Sequence, residues 1–204
     1  MFKRFDLSTD ISTSTQVKAS VQRGIKAQIL KSHPNIDEEL LDLLLPKKPP
    51  LMQYKVGPHL MLYSRLPQSQ EEDDDVSAGH EPVFFQSRDG PVLPTLRLVH
   101  KYYPDFKFTR VTVDKGAIPF VIGGANIMCP GLTNPGGSMP EDDGDKVGLE
   151  KGDGVVIFAE GKEHALAIGT MKMSSAAIRS KNKGIGIEVV HFLGDGLYQT
   201  KEIS

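Results

Sequence analysis

Near the start of the chain, apolar residues recur at four-residue steps: Val17, Val21 and Ile25, with Gln28 and Ile29 continuing the row. That step keeps side chains on one face of an α-helix. Just upstream, Thr13-Ser14-Thr15-Gln16 has the form of a capping box. In such a box a hydroxyl and a glutamine amide satisfy the N–H groups that a helix start leaves open. The pattern predicts a helix that begins at Thr13 and is closed by Pro34. A second box, Asn35-Ile36-Asp37-Glu38, predicts a short helix through Leu45, with Leu40, Leu43 and Leu44 available for packing and Pro46 ending it. From residue 51 the rhythm changes to short strand-like runs at 51–56, 60–63 and 83–86. Pro94 suits the first turn of a further helix through Lys101. Together these elements predict an α+β N-terminal domain ending near residue 108.

Beyond Arg110 the chain turns to Gly, Ala and Val in short runs. Residues 155–159 and 165–171, joined by Glu160-Gly161-Lys162-Glu163, predict a hairpin with a glycine-containing loop. A helical turn over 174–181, a strand over 184–192 and a turn at Gly194-Asp195-Gly196 follow. Short strands separated by frequent turns predict a small barrel. Two stretches break the pattern. Residues 67–81 hold Glu71-Glu72-Asp73-Asp74-Asp75, and residues 135–151 are rich in Gly and Asp. Successive acids repel one another and bury nothing, so both are predicted to be solvated loops.

Composition narrows the function classes. With 204 residues, 39% hydrophobic and 25% charged, the chain can bury one or two cores. A net charge of −2 excludes a uniformly basic coat, so any nucleic-acid contact must come from local patches. The single cysteine, Cys129, excludes a disulfide framework and a cysteine zinc site, and is predicted to be a small core residue. Met1-Phe2-Lys3-Arg4-Phe5-Asp6 leads into a polar stretch rather than an apolar one, unlike a signal peptide, and no apolar run approaches membrane-spanning length. These features predict a soluble, intracellular protein. The six histidines show no metal-binding spacing, and Gly184-Ile185-Gly186 leads into a strand without the third glycine of a dinucleotide site. No cofactor, metal or catalytic set is expected.

One segment concentrates candidate chemistry. Asp114 can cap a short helix whose leading N–H groups favour an anion, Lys115 adds positive charge, and Gly123, Gly124 and Ala125 lack bulk. Such a corner can hold a sugar-phosphate backbone; the same residues equally describe a tight helix-to-strand turn that needs glycine for packing alone. Charge is also concentrated elsewhere: residues 1–31 carry six Lys/Arg against Asp6 and Asp10. Arg23 and Lys26 point away from the apolar row while Lys18 and Lys31 flank it, so these four form a candidate RNA-docking patch.

Asp114-Lys115-Gly116-Ala117, Gly124-Ala125-Asn126-Ile127-Met128 with Pro130-Gly131, Glu160-Gly161 with Ala165 and Ile168-Gly169, and Gly184-Ile185-Gly186 together resemble a PUA domain, a small RNA-binding pseudo-barrel. With Met1-Phe2-Lys3-Arg4-Phe5, Pro94-Thr95-Leu96-Arg97-Leu98-Val99-His100-Lys101 and His191-Phe192-Leu193-Gly194-Asp195-Gly196-Leu197, the chain resembles the malignant T-cell-amplified sequence family over nearly its whole length. Pro119 stands where that family leads one to expect a basic residue. The resemblance implies an α+β family-specific domain over 1–108 and a PUA pseudo-barrel over 109–204. It also implies a cytoplasmic, non-enzymatic translation factor acting with density-regulated protein, a partner with an initiation-factor-one-like domain. Its implied targets are the small ribosomal subunit and tRNA, in tRNA removal after termination, subunit recycling and reinitiation. The residues that would face RNA are Lys115, Gly116, Ala117, Gly124, Ala125, Asn126, Met128, Pro130, Gly131, Lys172 and Lys183, with Lys18, Arg23, Lys26 and Lys31 facing the ribosome. The rival from another class is an RNA-binding appendage or subunit of a tRNA- or rRNA-modifying enzyme.

Overall fold

The computed structural model describes residues 1–67, 79–140 and 148–203. Much of 67–81 and 135–151, the two loops expected from the acid and glycine runs, lies outside the described residues. Residues at the end of the first are nevertheless built into the fold. Gly79 is buried, and His80 and Ile203 exchange backbone hydrogen bonds.

Two five-stranded sheets organise the chain. The first is an antiparallel meander of β1 (Ile11–Gln16), β2 (Met52–Val56), β3 (Leu60–Arg65), β4 (Glu81–Ser87) and β5 (Val92–Pro94), in that order. The short α1 (Leu7–Asp10) precedes it, and α2 (Ala19–Ser32), α3 (Glu38–Leu44) and α4 (Leu96–Tyr102) accompany it. The second sheet has the order β6 (Arg110–Val113), β8 (Gly154–Ala159), β9 (Ala167–Met171), β10 (Ile185–Phe192) and β7 (Ile127–Met128). β6 and β8 run parallel and the other neighbours antiparallel. This second sheet curls into a half-open pseudo-barrel. Around it lie a 3-10 turn (Lys115–Ala117) and four short helices: α5 (Ile118–Ile122), α6 (Pro130–Thr133), α7 (Ser175–Lys181) and α8 (Gly196–Gln199). The α+β class and the order of an α+β domain followed by a pseudo-barrel agree with the sequence reading; the meander of the first sheet was not part of it.

Three expectations are corrected. Thr13–Gln16 does not cap a helix but forms the end of strand β1, paired with Met52–Val56. The β-branched Ile11, Thr13 and Thr15 suit an extended edge, and satisfying the open side of β2 outweighs one local cap. The helix begins instead at Ala19 after an uncapped Lys18. Its inward row is therefore Gln22, Ile25 and Ile29, whereas Val21 is 45% exposed. Buried Gln22 finds acceptors in the carbonyls of Leu45 and Pro46 at 3.0 and 2.7 Å, at the open end of α3. Second, α3 starts at Glu38 with Asp37 as its cap, accepting from the Glu39 N–H, and it buries Leu41 and Leu44 while Leu43 faces out. Third, Pro94 ends β5 rather than opening a helix, and Thr95 caps α4 by accepting from the Leu98 N–H. Thr95 also donates to the Pro82 carbonyl at 3.0 Å, tying the helix start to β4.

The halves share a core. One apolar cluster contains Phe2, Phe84, Phe85 and Leu96 from the first half and Val156, Phe158, Ile168 and Val190 from the second. Phe2 is buried, edge-on to Phe85 and to His191. His191 in turn meets Asp195 at 2.8 Å, both fully buried. Burial of apolar surface on this scale makes the junction a fixed joint rather than a linker.

Candidate nucleic-acid interface

The glycine-bearing corner grows out of β6. Asp114 closes the 3-10 turn by accepting from the Ala117 N–H at 2.9 Å, and its other oxygen accepts from Asn134 at 3.0 Å. Its own N–H donates to the Gly131 carbonyl at 3.0 Å, bringing the start of α6 against the turn. Gly131 is then sandwiched, the space for a Cβ lying 3.6 Å from Ala117 and Ile127. Lys115 projects outward, with Glu160 4.0 Å away. α5 follows directly, and Pro119 stands in its first turn, where a missing N–H costs little.

Gly124 has a structural reason to be glycine. Its φ is +80°, and a Cβ there would lie 2.7 Å from the Phe192 ring. Asn126, though exposed, uses its Oδ1 to accept from the Val189 N–H at 3.1 Å, finishing the edge of β10. The N-terminus also reaches this corner: the Lys3 ammonium donates to the Gly123 carbonyl at 3.1 Å, at the C-terminal end of α5.

What the corner shows to solvent is apolar. Ile118 and Val121 turn inward on α5, which sends Phe120 and Ile122 outward at 67% and 43% exposure. On the edge pair, Met128 at 50% lies directly across from Ile185 at 41%. Single exposed apolar residues are ordinary, but four on α5, on β7 a few residues after it, and on the strand β10 paired with β7 make this corner a candidate interaction face. Lys183 stands beside it: its carbonyl lies 3.4 Å from Cys129 Sγ and its side chain is exposed. Cys129 itself is buried in the core, as expected.

The fold thus brings together Lys115, Gly116, Ala117, Ala125, Met128, Pro130, Gly131 and Lys183, with Gly124 and Asn126 engaged internally. Lys172 sits across β10, donating its N–H to the Gly186 carbonyl and pairing with Glu188 at 2.8 Å. Lys18, Arg23, Lys26 and Lys31 lie on the other half of the molecule, on or just before α2; Lys26 is tied to Asp42, while Lys18, Arg23 and Lys31 remain exposed. The sequence reading missed Phe120, Ile122 and Ile185. The outward pair was legible in the short helix read after Asp114: with Ile118 and Val121 three residues apart on the inner face, Phe120 and Ile122 fall on the outer one. Among the described residues no group of His, Cys, Asp and Glu is placed to hold a metal ion, and no helix is long and apolar enough to cross a membrane.

Known proteins share this organisation. A family profile for the Pre-PUA-like domain matches residues 5–102 and one for the PUA domain matches residues 109–193. Translation machinery-associated protein 20 of Schizosaccharomyces pombe is 46% identical, the match covering 98% of both chains. The malignant T-cell-amplified sequence 1 homolog of Drosophila melanogaster is 46% identical over 100% of both, and human malignant T-cell-amplified sequence 2 is 43% identical over 98% of both. Among solved structures, a hypothetical protein of Pyrococcus horikoshii superimposes with a TM-score of 0.66 at 22% identity, over 92% of this chain and 98% of that one. A PUA-domain protein of Aeropyrum pernix, solved with tartrate, gives 0.57 at 21% identity, over 91% and 89%; at such identities the likeness is one of fold. Full-length identity above 40% to several relatives, with both domain profiles in the same order, leaves one conclusion: this chain belongs to the malignant T-cell-amplified sequence family, the family of translation machinery-associated protein 20.

Proposed function

We propose that this protein is a non-catalytic, cytoplasmic translation factor that binds the small ribosomal subunit and tRNA. In this reading it acts with density-regulated protein in tRNA removal after termination, subunit recycling and reinitiation. The observation that carries the proposal is the exposed corner of the PUA half, where Phe120, Ile122, Met128 and Ile185 stand beside Lys115 and Lys183. The Phe120 ring offers a face on which an unpaired base stacks, worth about 1–3 kcal/mol by alanine substitution, and Ile122, Met128 and Ile185 extend the apolar surface around it. The flanking ammonium groups complement phosphates. A tRNA acceptor end, single-stranded and flexible, has this combination of exposed bases and backbone. The division of the chain at residue 108, with Lys18, Arg23 and Lys31 facing ribosomal RNA, belongs to the same reading. The Schizosaccharomyces pombe relative, named translation machinery-associated protein 20, supports it.

Sedimentation through a sucrose cushion with purified small subunits, with and without density-regulated protein, tests the proposal. Wild type should pellet with subunits, and Phe120→Ala and Lys115→Glu should reduce retention of deacylated tRNA-loaded complexes. Wild-type protein left in the supernatant under both conditions would overturn it.

A further inference from the structure

A second cationic feature crosses the joint between the halves, away from α2. Two adjoining depressions, of about 460 and 300 Å³, share His59, Ser87 and Arg88 and so form one groove. Lys55 stands in the smaller depression, on β2; Lys151 and Lys172, from the PUA half, stand in the larger. Asp89 is the one carboxylate among the described lining residues. Lys55, Arg88 and Lys151 outnumber Asp89, while Lys172 is paired with Glu188 at 2.8 Å; in a chain of net charge −2 this is a local reversal of the overall sign. Lys55, His59, Arg88 and Lys151 are exposed, so their side chains are open to an anionic ligand, which this local surplus of positive charge favours.

The groove also has a direction. Its PUA end is Lys172, whose N–H donates to Gly186, one residue from Ile185. Ile185 faces Met128 in the apolar corner. A cationic track therefore leads across the joint to a base-stacking face, the order in which a single strand presents phosphates and then splayed bases.

We propose that this groove is the track for the backbone of a single-stranded RNA whose end occupies the apolar corner, with Lys55, Arg88, Lys151 and Lys172 spaced along its phosphates. The proposal rests on the RNA-binding reading of the corner and extends it to a second surface built from both halves. An acidic protein segment is the rival occupant; it would use the cations but has no reason to end on Phe120 and Met128.

The test uses the full-length protein and a fluorescein-labelled 12-nucleotide oligouridylate, with affinity read by anisotropy across a salt series. Arg88→Glu with Lys151→Glu is compared with Phe120→Ala and with a control of equal charge change outside the groove, Lys107→Glu with Lys201→Glu. Loss of two phosphate contacts should flatten the log–log salt slope by about 1.4, so the ratio of wild-type to variant affinity should shrink about sevenfold between roughly 50 and 200 mM salt. Circular dichroism should be unchanged, because both side chains are solvent-facing. The control should leave the slope within error of wild type, and Phe120→Ala should weaken binding at every salt concentration. If Arg88→Glu with Lys151→Glu binds like wild type while Phe120→Ala does not, the groove is overturned and the corner survives. If the two double variants weaken binding equally, bulk charge rather than a track is responsible and the proposal fails. If polyglutamate competes as well as unlabelled oligouridylate, the occupant is an acidic segment and the RNA assignment fails. If Phe120→Ala alone binds normally while the groove variant does not, the track stands and the corner reading fails.

Discussion

Removing the Asp195 carboxylate should loosen the joint between the halves. Asp195 is fully buried and accepts from three groups: His191 Nδ1 at 2.8 Å, the Phe192 N–H at 3.0 Å and the Tyr198 N–H at 2.9 Å. The last contact is the cap of α8. In Asp195→Ala, each donor is left in an environment without water, at about 1–3 kcal/mol per orphaned group, the cap accounting for roughly 1 kcal/mol of the total. The His191 ring cannot turn to water, because Phe2 and Phe85 pack edge-on against it. Partial relaxation keeps the sum near the cost of breaking a buried pair, about 3–5 kcal/mol. For a chain of this size that corresponds to a fall of about 6–20 °C in Tm. Asp195→Asn retains one acceptor oxygen, enough for the α8 cap, and should lose about half as much. The N-terminal clasp should weaken too, since the Gly196 N–H donates to the Phe2 carbonyl at 3.0 Å and the Phe5 backbone fills the space beside Gly196. Thermal unfolding by circular dichroism, with limited proteolysis near the first residues, reads both effects. An Asp195→Ala protein melting within about 3 °C of wild type would refute the assignment of this turn as the fastening of the joint.

Other outcomes follow from the same structure. Burial pushes the His33 imidazole down to about 4, with its ring against Phe108. The unfolded chain therefore binds a proton that the folded one does not as pH falls through 6.5 toward 4, and this residue alone should cost about 2 kcal/mol of stability at pH 5 relative to pH 8. Urea unfolding of wild type and His33→Leu should show that difference in pH slope, and parallel slopes would contradict it. Gly124→Ala must place a methyl group against Phe192 at a φ of +80° and should lose about 1–3 kcal/mol in the same assay; an unchanged midpoint would remove the packing role of that glycine. Lys26→Glu should lower stability by about 0.5–1 kcal/mol through repulsion from Asp42, whereas Arg23→Glu should not.

The second half was more legible than the first. Its hairpin, its Asp114 turn and its long strand are specified by neighbours in sequence, through glycine-bearing turns and a side-chain cap. The errors fall where a distant partner decides. Thr13–Gln16 satisfies a local capping rule, but the open edge of β2, some forty residues downstream, makes it a strand. Val21 keeps the four-residue rhythm, yet Gln22 takes the inward place because the carbonyls of Leu45 and Pro46 lie there to receive its amide. No single-sequence pattern carries that information. The site divides in the same way. Lys115 and Met128, exposed as the PUA-like motif led one to expect, belong to the corner whose RNA contact is proposed, whereas the depressions lined by Lys55, Arg88 and Lys151 exist only because the two sheets meet.

The central claim is that the corner holding Phe120 touches RNA on the ribosome, and site-specific photocrosslinking tests it most directly. Benzoylphenylalanine placed at Phe120, in otherwise wild-type protein bound with its partner to small subunits carrying deacylated tRNA, should crosslink to the 3′ end of that tRNA. The same probe in place of exposed Lys107, a position outside the corner and the groove, should not. Crosslinks from Phe120 that run only to protein, with tRNA bound in the same particles, would contradict the claim.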